Sequence, residues 1–370
     1  MKRICMLVLC LCLLMSACGG TPNVITTAPS TQPTTTEPVT TQPTTEAPTT
    51  TEPVTTEPPV DPVPAFVHPI TGEPLEEPCL NRPYAVVMDN DEKDSTPHWG
   101  CSKADMIWEL PHEGGSTRMV GVFSDVSDVE KLGPNRSVRP YILSIARCFN
   151  AILVHAGGSP QGYEQLKNTG WNNLDGVQGP NADAYYHRDK DRLNHVASWH
   201  TMYTTGKEVL AYTAERGYVN TFEEQADYGF TFTDDATPGG ENADTITIRF
   251  RKGGKKTVAY YDADTGDYTL EQFNATYRDG NDGAVPHFQN IVILKTSVGT
   301  IDDYGRLYVT LVGSGDGYFA CGGELVSIHW SRESETSPFR FTFEDGTPVS
   351  FGIGKTYAAV IQNNGTVTPE

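Results

Sequence analysis

The chain is short of positive charge. Its 370 residues carry 47 acids and 27 bases, a formal net charge of −20. Nucleic-acid binding needs cationic surface to displace condensed counterions, so this deficit argues against a polynucleotide partner and against adhesion to an anionic bilayer by charge alone. Long apolar runs are also missing: the longest, Ile4–Met15, is too short for a bilayer core that takes ~20 residues. No two cysteines stand in a CxxC spacing, which removes the usual frame of a structural zinc site. His187, His195 and His200 are separated by eight and five residues and do not share a helical face, so neither a metal nor another cofactor is expected. Between residues 21 and 64 there is no base at all and little that could build a core.

What is present at the start is an export signal. Lys2 and Arg3 precede the apolar run, and Met15-Ser16-Ala17-Cys18 resembles a bacterial lipobox, in which small residues before a cysteine direct cleavage and lipidation of its sulfur. Residues 1–17 are thus expected to be a lipoprotein signal peptide. Cys18 would then be the lipidated (palmitate-bearing) membrane anchor, with the protein on the outer face of the bacterial cytoplasmic membrane. After it, a proline recurs every five residues from Pro33 to Pro58 amid threonine. Proline fixes φ and removes donors, and threonine has too little apolar area to offset the entropy of ordering, so 18–64 reads as a disordered tether. Only Cys79, Cys101, Cys148 and Cys321 remain after the leader, and four cysteines allow three pairings. Cys79 and Cys101 are the closest in sequence, whereas Cys148 falls in an apolar helical pattern that suits a buried thiol.

The remainder predicts an α+β fold. Residues 65–232 form a mixed α/β unit, with strand-like runs at Tyr84–Met88, Asp105–Leu110, Met119–Phe123 and Ala151–Ala156. Residues 233–243, dense in turn formers, suit a connector, and 244–370 read as a mostly antiparallel β unit. Asp262–Asp267 is better explained as a hairpin turn than as a calcium loop, because glycine occupies a ligand position and no glutamate closes the loop. Three helix starts are legible. Ser137 can cap one helix, Ser159 followed by Pro160 opens a second, and Thr205-Gly206-Lys207-Glu208 is a capping box for a third that ends near Gly217.

A local absence points to the candidate site. From Lys131 to Tyr163 there is no acidic residue, where the chain average would place about four, yet Lys131, Arg136, Arg139 and Arg147 are all there. Arg136 and Arg139 near one helix start, with Gly157-Gly158-Ser159 at another, would combine dipole, backbone donors and forked guanidinium groups into an anion site. The alternative is that these arginines pair with Glu109, Glu113 or Asp125 to hold the fold. Ser159 fails as a nucleophile: its elbow lacks the required glycine at Gln161, and Pro160 has no N–H to offer an oxyanion. His155, at the end of a strand, suits acid–base work or substrate binding as well as it suits a core histidine. Glu113 and His112, just before Gly114-Gly115-Ser116-Thr117-Arg118, could bring carboxylate, imidazole and guanidinium together where a strand ends.

Six motifs occur in the order seen in YerB-like bacterial lipoproteins: His68-Pro69-Ile70-Thr71-Gly72, Arg82–Val86, Ala104–Glu109, Glu113–Arg118, Gly133–Tyr141 and His155–Ser159. With the β-rich tail, the resemblance covers nearly all of 68–362. It implies a secreted, lipid-anchored, two-part protein of a family whose biochemical function is unknown. The family tends to carry a Pro-His pair before Asn-x-Tyr at the end of the first unit. Here His200 and Tyr203 are kept, but the Pro and Asn are lost.

The resulting expectation is an envelope lipoprotein that binds an anionic ligand such as a cell-wall precursor, a teichoic-acid-like polymer or a peptide carboxylate. Arg118, Arg136, Arg139, His155, Gly157, Gly158, Ser159 and His200 are the candidate binding residues. The alternatives are a cell-wall hydrolase or transferase using His155 and Glu113 as acid–base groups, and a non-catalytic scaffold for another envelope protein. Cys18→Ala is expected to move the protein from the membrane fraction to the medium, or to leave it unprocessed. Metabolic labelling with a fatty acid checks this, and unchanged labelling of the variant would refute the anchor.

Overall fold

The computed structural model describes residues 65–91 and 97–370. The leader 1–17, Cys18 and the Thr/Pro tract to residue 64 lie outside the described residues. Nine strands make the body of one large sheet: β1 (Tyr84–Asn90), β2 (Met106–Pro111), β3 (Thr117–Phe123), β4 (Ile152–His155), β5 (Asn173–Asp175), β6 (Asn290–Thr296), β7 (Gly313–Cys321), β8 (Glu324–Arg332) and β9 (Thr356–Gln362). Their spatial order is β8-β7-β6-β9-β2-β3-β1-β4-β5, and the short strands Glu241–Asn242 and Arg340–Thr342 also pair with β8. β9, from near the carboxyl end, lies between β6 and β2 and runs parallel to both. One hydrogen-bonded sheet therefore contains strands from both halves of the sequence.

Period-two alternation sends successive side chains to opposite faces, and both faces are buried. Ala85 and Val87 of β1, Val292 and Leu294 of β6, and Ala358 and Val360 of β9 enter one core, with Ile142 and Ile145 of helix α1 (Pro140–Cys148), Phe149 at its C-cap, and the aromatic group Phe339, Phe341 and Phe351. Val86 and Met88, Ile291 and Ile293, and Tyr357 and Ala359 enter the other. That second core is closed by Val209 and Tyr212 of the helix Gly206–Glu215 and by a five-stranded sheet that contributes Ile246, Ile248, Ala259 and Leu270. The five-stranded sheet is antiparallel, and the turn Asp262–Asp267 is a hairpin within it.

Local signals behave as their chemistry requires. Thr205 and Glu208 form the reciprocal capping box, and the Ser159 hydroxyl accepts from Gly162 N–H at 3.0 Å to open helix α2 (Pro160–Thr169). The expected cap at Ser137 is corrected: Arg139 is the extended N-cap residue and Pro140 the first residue of α1. Proline fixes its own φ and pushes the preceding residue out of the helical region, which moves the start two residues along. The Ser137 hydroxyl donates instead to Ala156 O, at 3.2 Å. Cys79, Cys101, Cys148 and Cys321 are all free thiols, and burial pushes Cys148 up to about 11.

The two sheets are joined by a buried ion pair. Glu109 of β2 has no exposure, and it accepts from Thr117 Oγ1 (2.6 Å), Asn90 Nδ2 (3.1 Å), Thr257 Oγ1 (3.0 Å), Gln272 Nε2 (3.0 Å), Tyr357 OH (2.5 Å) and Lys255 Nζ. Lys255 also donates to Thr257 at 2.8 Å and to Gln272 at 2.5 Å. Burial alone would raise the Glu109 carboxyl, but the Lys255 ammonium and the surrounding donors outweigh it and hold the group below its ordinary value. Lys255→Met is expected to strand this carboxylate and cost ~3–5 kcal/mol, whereas Glu109→Gln with Lys255→Met should recover a large part of the loss. Urea denaturation of the single and double variants measures both.

Candidate functional site

β1, β4 and β5 run parallel, so their carboxyl ends lie on one edge of the sheet. Crevices at such ends are where open α/β sheets hold ligands. Here the edge presents Asp89, His155 and Asp175. A cavity of about 300 Å³ opens above it, lined by Asn135, Arg136, Ser137, Gly157, Gly158, Tyr163, Arg188 and Trp199 among others.

Asp89 organises the floor. It lies directly across from Arg118 in the β1–β3 register, accepts from His200 Nδ1 at 2.5 Å and pairs with Arg136 Nε at 3.1 Å. Burial would raise this carboxyl, yet the His200 hydrogen bond and the Arg136 and Arg118 guanidinium groups bring it from 3.8 to about 2. Arg118 itself is 1% exposed and donates to Ser137 O at 2.8 Å. Desolvation first, then repulsion from Arg136 and Arg139, lowers Arg118 to about 10, so it is still a cation at neutral pH. Arg136 NH1 also donates to Trp199 O at 3.2 Å, and Arg188 donates to Ser198 O. Asn135 is 1% exposed, borders the cavity, and neither its amide nitrogen nor its amide oxygen has a hydrogen-bond partner in the protein.

The glycine turn is shaped by two separate constraints. Gly157 has φ +76°, a left-handed conformation that favours glycine, and a Cβ on Gly158 would sit 2.9 Å from Val138 Cγ1. This turn lets the chain pass from β4 into α2 beside Arg136. Asp175 secures it by accepting from Gly157 N–H at 2.8 Å, from Val177 N–H at 2.9 Å and from Tyr163 OH at 2.8 Å.

Not every sequence candidate converges here. Arg136, Gly157 and Gly158 line the cavity, and His200 and Arg118 lie beneath it. Arg139 instead holds Glu113 with two bonds, Nε to Oε1 at 2.6 Å and NH2 to Oε2 at 3.3 Å. His112 lies against that pair, and desolvation followed by repulsion from Arg118 drops its imidazole to about 4, so it is neutral at pH 7. His155 is fully buried, donating from Nδ1 to Gly157 O at 2.8 Å, with Nε2 3.1 Å from Asn173 Oδ1. Ser159 caps α2. Of the other histidines, His187 bonds Glu208 at 2.5 Å on the helix Gly206–Glu215. Sequence reasoning did not single out Asp89, Asn135, Arg188 or Trp199. Asn135 lay inside the recognised Gly133–Tyr141 motif, Trp199 stands just before His200 where the family tends to carry proline, and Asp89 and Arg188 carried no spacing signal.

Fold and cleft together describe an α+β protein built from two sequence segments around a shared sheet, with a polar cavity at strand carboxyl ends. Residues 70–219 match the N-terminal domain, and 246–358 the C-terminal domain, of the DUF3048 proteins of unknown function, and the chain belongs to this family. It is 27% identical over 296 residues, 79% of its own length and 85% of the relative's, to a protein of Bacillus subtilis (strain 168) that bears the name lipoprotein YerB. The crystal structure of YerB protein from Bacillus subtilis matches it with a TM-score of 0.71 over 82% of this chain and 99% of that one, at 24% identity, which is a likeness of fold.

The Asp89 carboxyl sets an acid dependence. Its folded value, about 2, lies below its ordinary 3.8, so its contribution is complete above pH ~4 and is lost as pH falls toward 2. The difference corresponds to about 2 kcal/mol. Asp89→Asn is expected to flatten the stability profile across that window, as read by denaturant unfolding at pH 5, 4, 3 and 2. A profile as steep as that of the unmodified chain would show that Asp89 is not the group responsible.

Proposed function

We propose that this chain is a lipid-anchored bacterial envelope protein, held by Cys18 on the outer face of the cytoplasmic membrane, whose first half binds an anionic ligand in the cleft above Asp89. Likeness to a protein named as a lipoprotein supports the anchor. The observation that carries the binding reading is Asn135: a buried amide with both polar atoms unpaired costs free energy, and its place beside Arg136 in the cavity makes a ligand the natural partner. Around the cleft stand three guanidinium groups, Arg118, Arg136 and Arg188, against two carboxylates, Asp89, which pairs with Arg136, and Asp175, which is held by Gly157, Val177 and Tyr163, an excess of one positive charge in a chain of −20.

The acid–base reading has less support. Glu113 is tied to Arg139 and held well below the usual carboxylate range, with burial opposing and the His112 and Arg139 bonds prevailing. His155 has no exposure and turns one ring nitrogen to its own turn's carbonyl.

Inorganic phosphate is expected to raise the thermal midpoint of the unmodified chain. Arg136→Lys should weaken that binding roughly tenfold or more, because an ammonium cannot reproduce the forked donor geometry. With His200 still on Asp89, the midpoint without phosphate should fall by no more than roughly 3 °C. Calorimetric titration and thermal unfolding test both statements. Absence of any phosphate-dependent shift across millimolar concentrations, together with a collapse of the lysine variant, would replace binding by a structural role for these arginines.

A further inference from the structure

Trp199 is 57% exposed and borders the same cavity. The backbone around it is nonetheless held firmly. Its carbonyl accepts from Arg136 at 3.2 Å, Ser198 O accepts from Arg188 and from Thr201 Oγ1 (2.7 Å), and His200 is bonded to Asp89 at 2.5 Å. A large apolar ring on a turn fixed at three successive residues is presented to solvent, not left there by a loose loop. Exposed aromatic surface beside a polar cavity marks a place where something apolar on one side and polar on its edge is received.

We infer that the ligand is a sugar or polyol ring carrying a phosphate or carboxylate, stacked through its C–H face on the Trp199 indole. This deepens the anion-binding reading and rests on it. The chemistry of the walls matches that of such a ring part by part. Arg136 and Arg188 supply guanidinium donors for the anionic group. Asn135 supplies an amide donor and an acceptor, a pair that vicinal hydroxyls, each able to donate and accept, satisfy together. Gln178, also lining the cavity, is a second group of the same kind. At about 300 Å³ the cavity lies at the small end of ligand pockets, a size that suits one ring with its substituent and not a folded protein segment.

The test is calorimetric titration of the full chain in detergent with glucose 6-phosphate, glucuronate, glucose, adenosine monophosphate and inorganic phosphate, repeated on Trp199→Ala and Trp199→Phe. One or both anionic sugars should bind at least roughly tenfold more tightly than phosphate or glucose, a size in keeping with one aromatic contact added to the polar ones. Trp199→Ala should remove that advantage while leaving phosphate affinity within about twofold, and Trp199→Phe should keep most of it. Because the side chain is exposed, both variants are expected to fold, which circular dichroism checks. Phosphate binding that gains nothing from a sugar, or sugar binding indifferent to Trp199→Ala, would overturn this inference and leave the anion reading standing. Preference for the nucleotide over both sugars would also overturn it, in favour of a stacked base. Failure of every anion to bind would remove the anion reading and this inference with it.

Discussion

Glu109 is the constraint on which the rest of the structure depends. An ionised carboxylate without exposure is tolerated only when its charge is paired and its lone pairs are filled, and here the partners come from both sheets. Asn90, Thr117 and Tyr357 belong to the large sheet, and Thr257 and Gln272, with Lys255 just before the strand, belong to the five-stranded one. The two sheets cannot slide against each other without breaking several of these bonds at once. A hydrophobic contact of the same area would be non-directional and would permit such sliding; the polar group specifies one docking.

That docking bears on the cleft through strand register. Glu109 and Arg118 lie on the adjacent strands β2 and β3, and Arg118 stands opposite Asp89 of β1. Fixing β2 against the second sheet therefore fixes the line on which Asp89, Arg136 and His200 meet. Asp89 is the pivot because it is the carboxylate that keeps three cationic or polar side chains from the first half at the carboxyl edge of the sheet. The geometry resembles the floor of an α/β ligand site, although only β1, β4 and β5 in that region are parallel.

Much of the architecture was legible because local chemistry and the final structure agree. The Thr205–Glu208 box, the Ser159-Pro160 start, the left-handed Gly157 and the Asp262–Asp267 hairpin each have one low-energy outcome whatever surrounds them. β7 carries no strand signal of its own, since Gly313, Gly315 and Gly317 are residues that favour turns, and only pairing with β6 and β8 makes the segment a strand. Nor could any pattern in Thr356–Gln362 reveal that it inserts between β6 and β2, since periodicity reports a strand and its burial but not its neighbours. The arginine window shows the same limit at the site. Its lack of acids was visible and Glu113 was among the partners it suggested, yet it could not be seen which arginine would take Glu113, nor that Arg136 would turn to Asp89 and Arg147 to the face of Trp171. The carboxylate partners lie tens of residues away, and Asp89 sits at the end of an apolar run where it resembles the next turn.

A net charge of −20 and the anion-binding role proposed for the cleft are compatible because electrostatic reach is short. At physiological salt the Debye length is ~8 Å, so the distributed acids of the surface would be largely screened from a ligand seated beside Arg136 and Arg188, over the buried Arg118. Those guanidinium groups lie where water is partly excluded, and there each charge counts for more than one on the surface. A small anion samples only this neighbourhood. A polymer of phosphates must run out of the cleft across the acidic exterior, where each further unit adds repulsion and no contact. On the proposed reading, the charge distribution would therefore discriminate by ligand length as well as by sign, favouring a single anionic unit or a chain terminus over the interior of a polyanion.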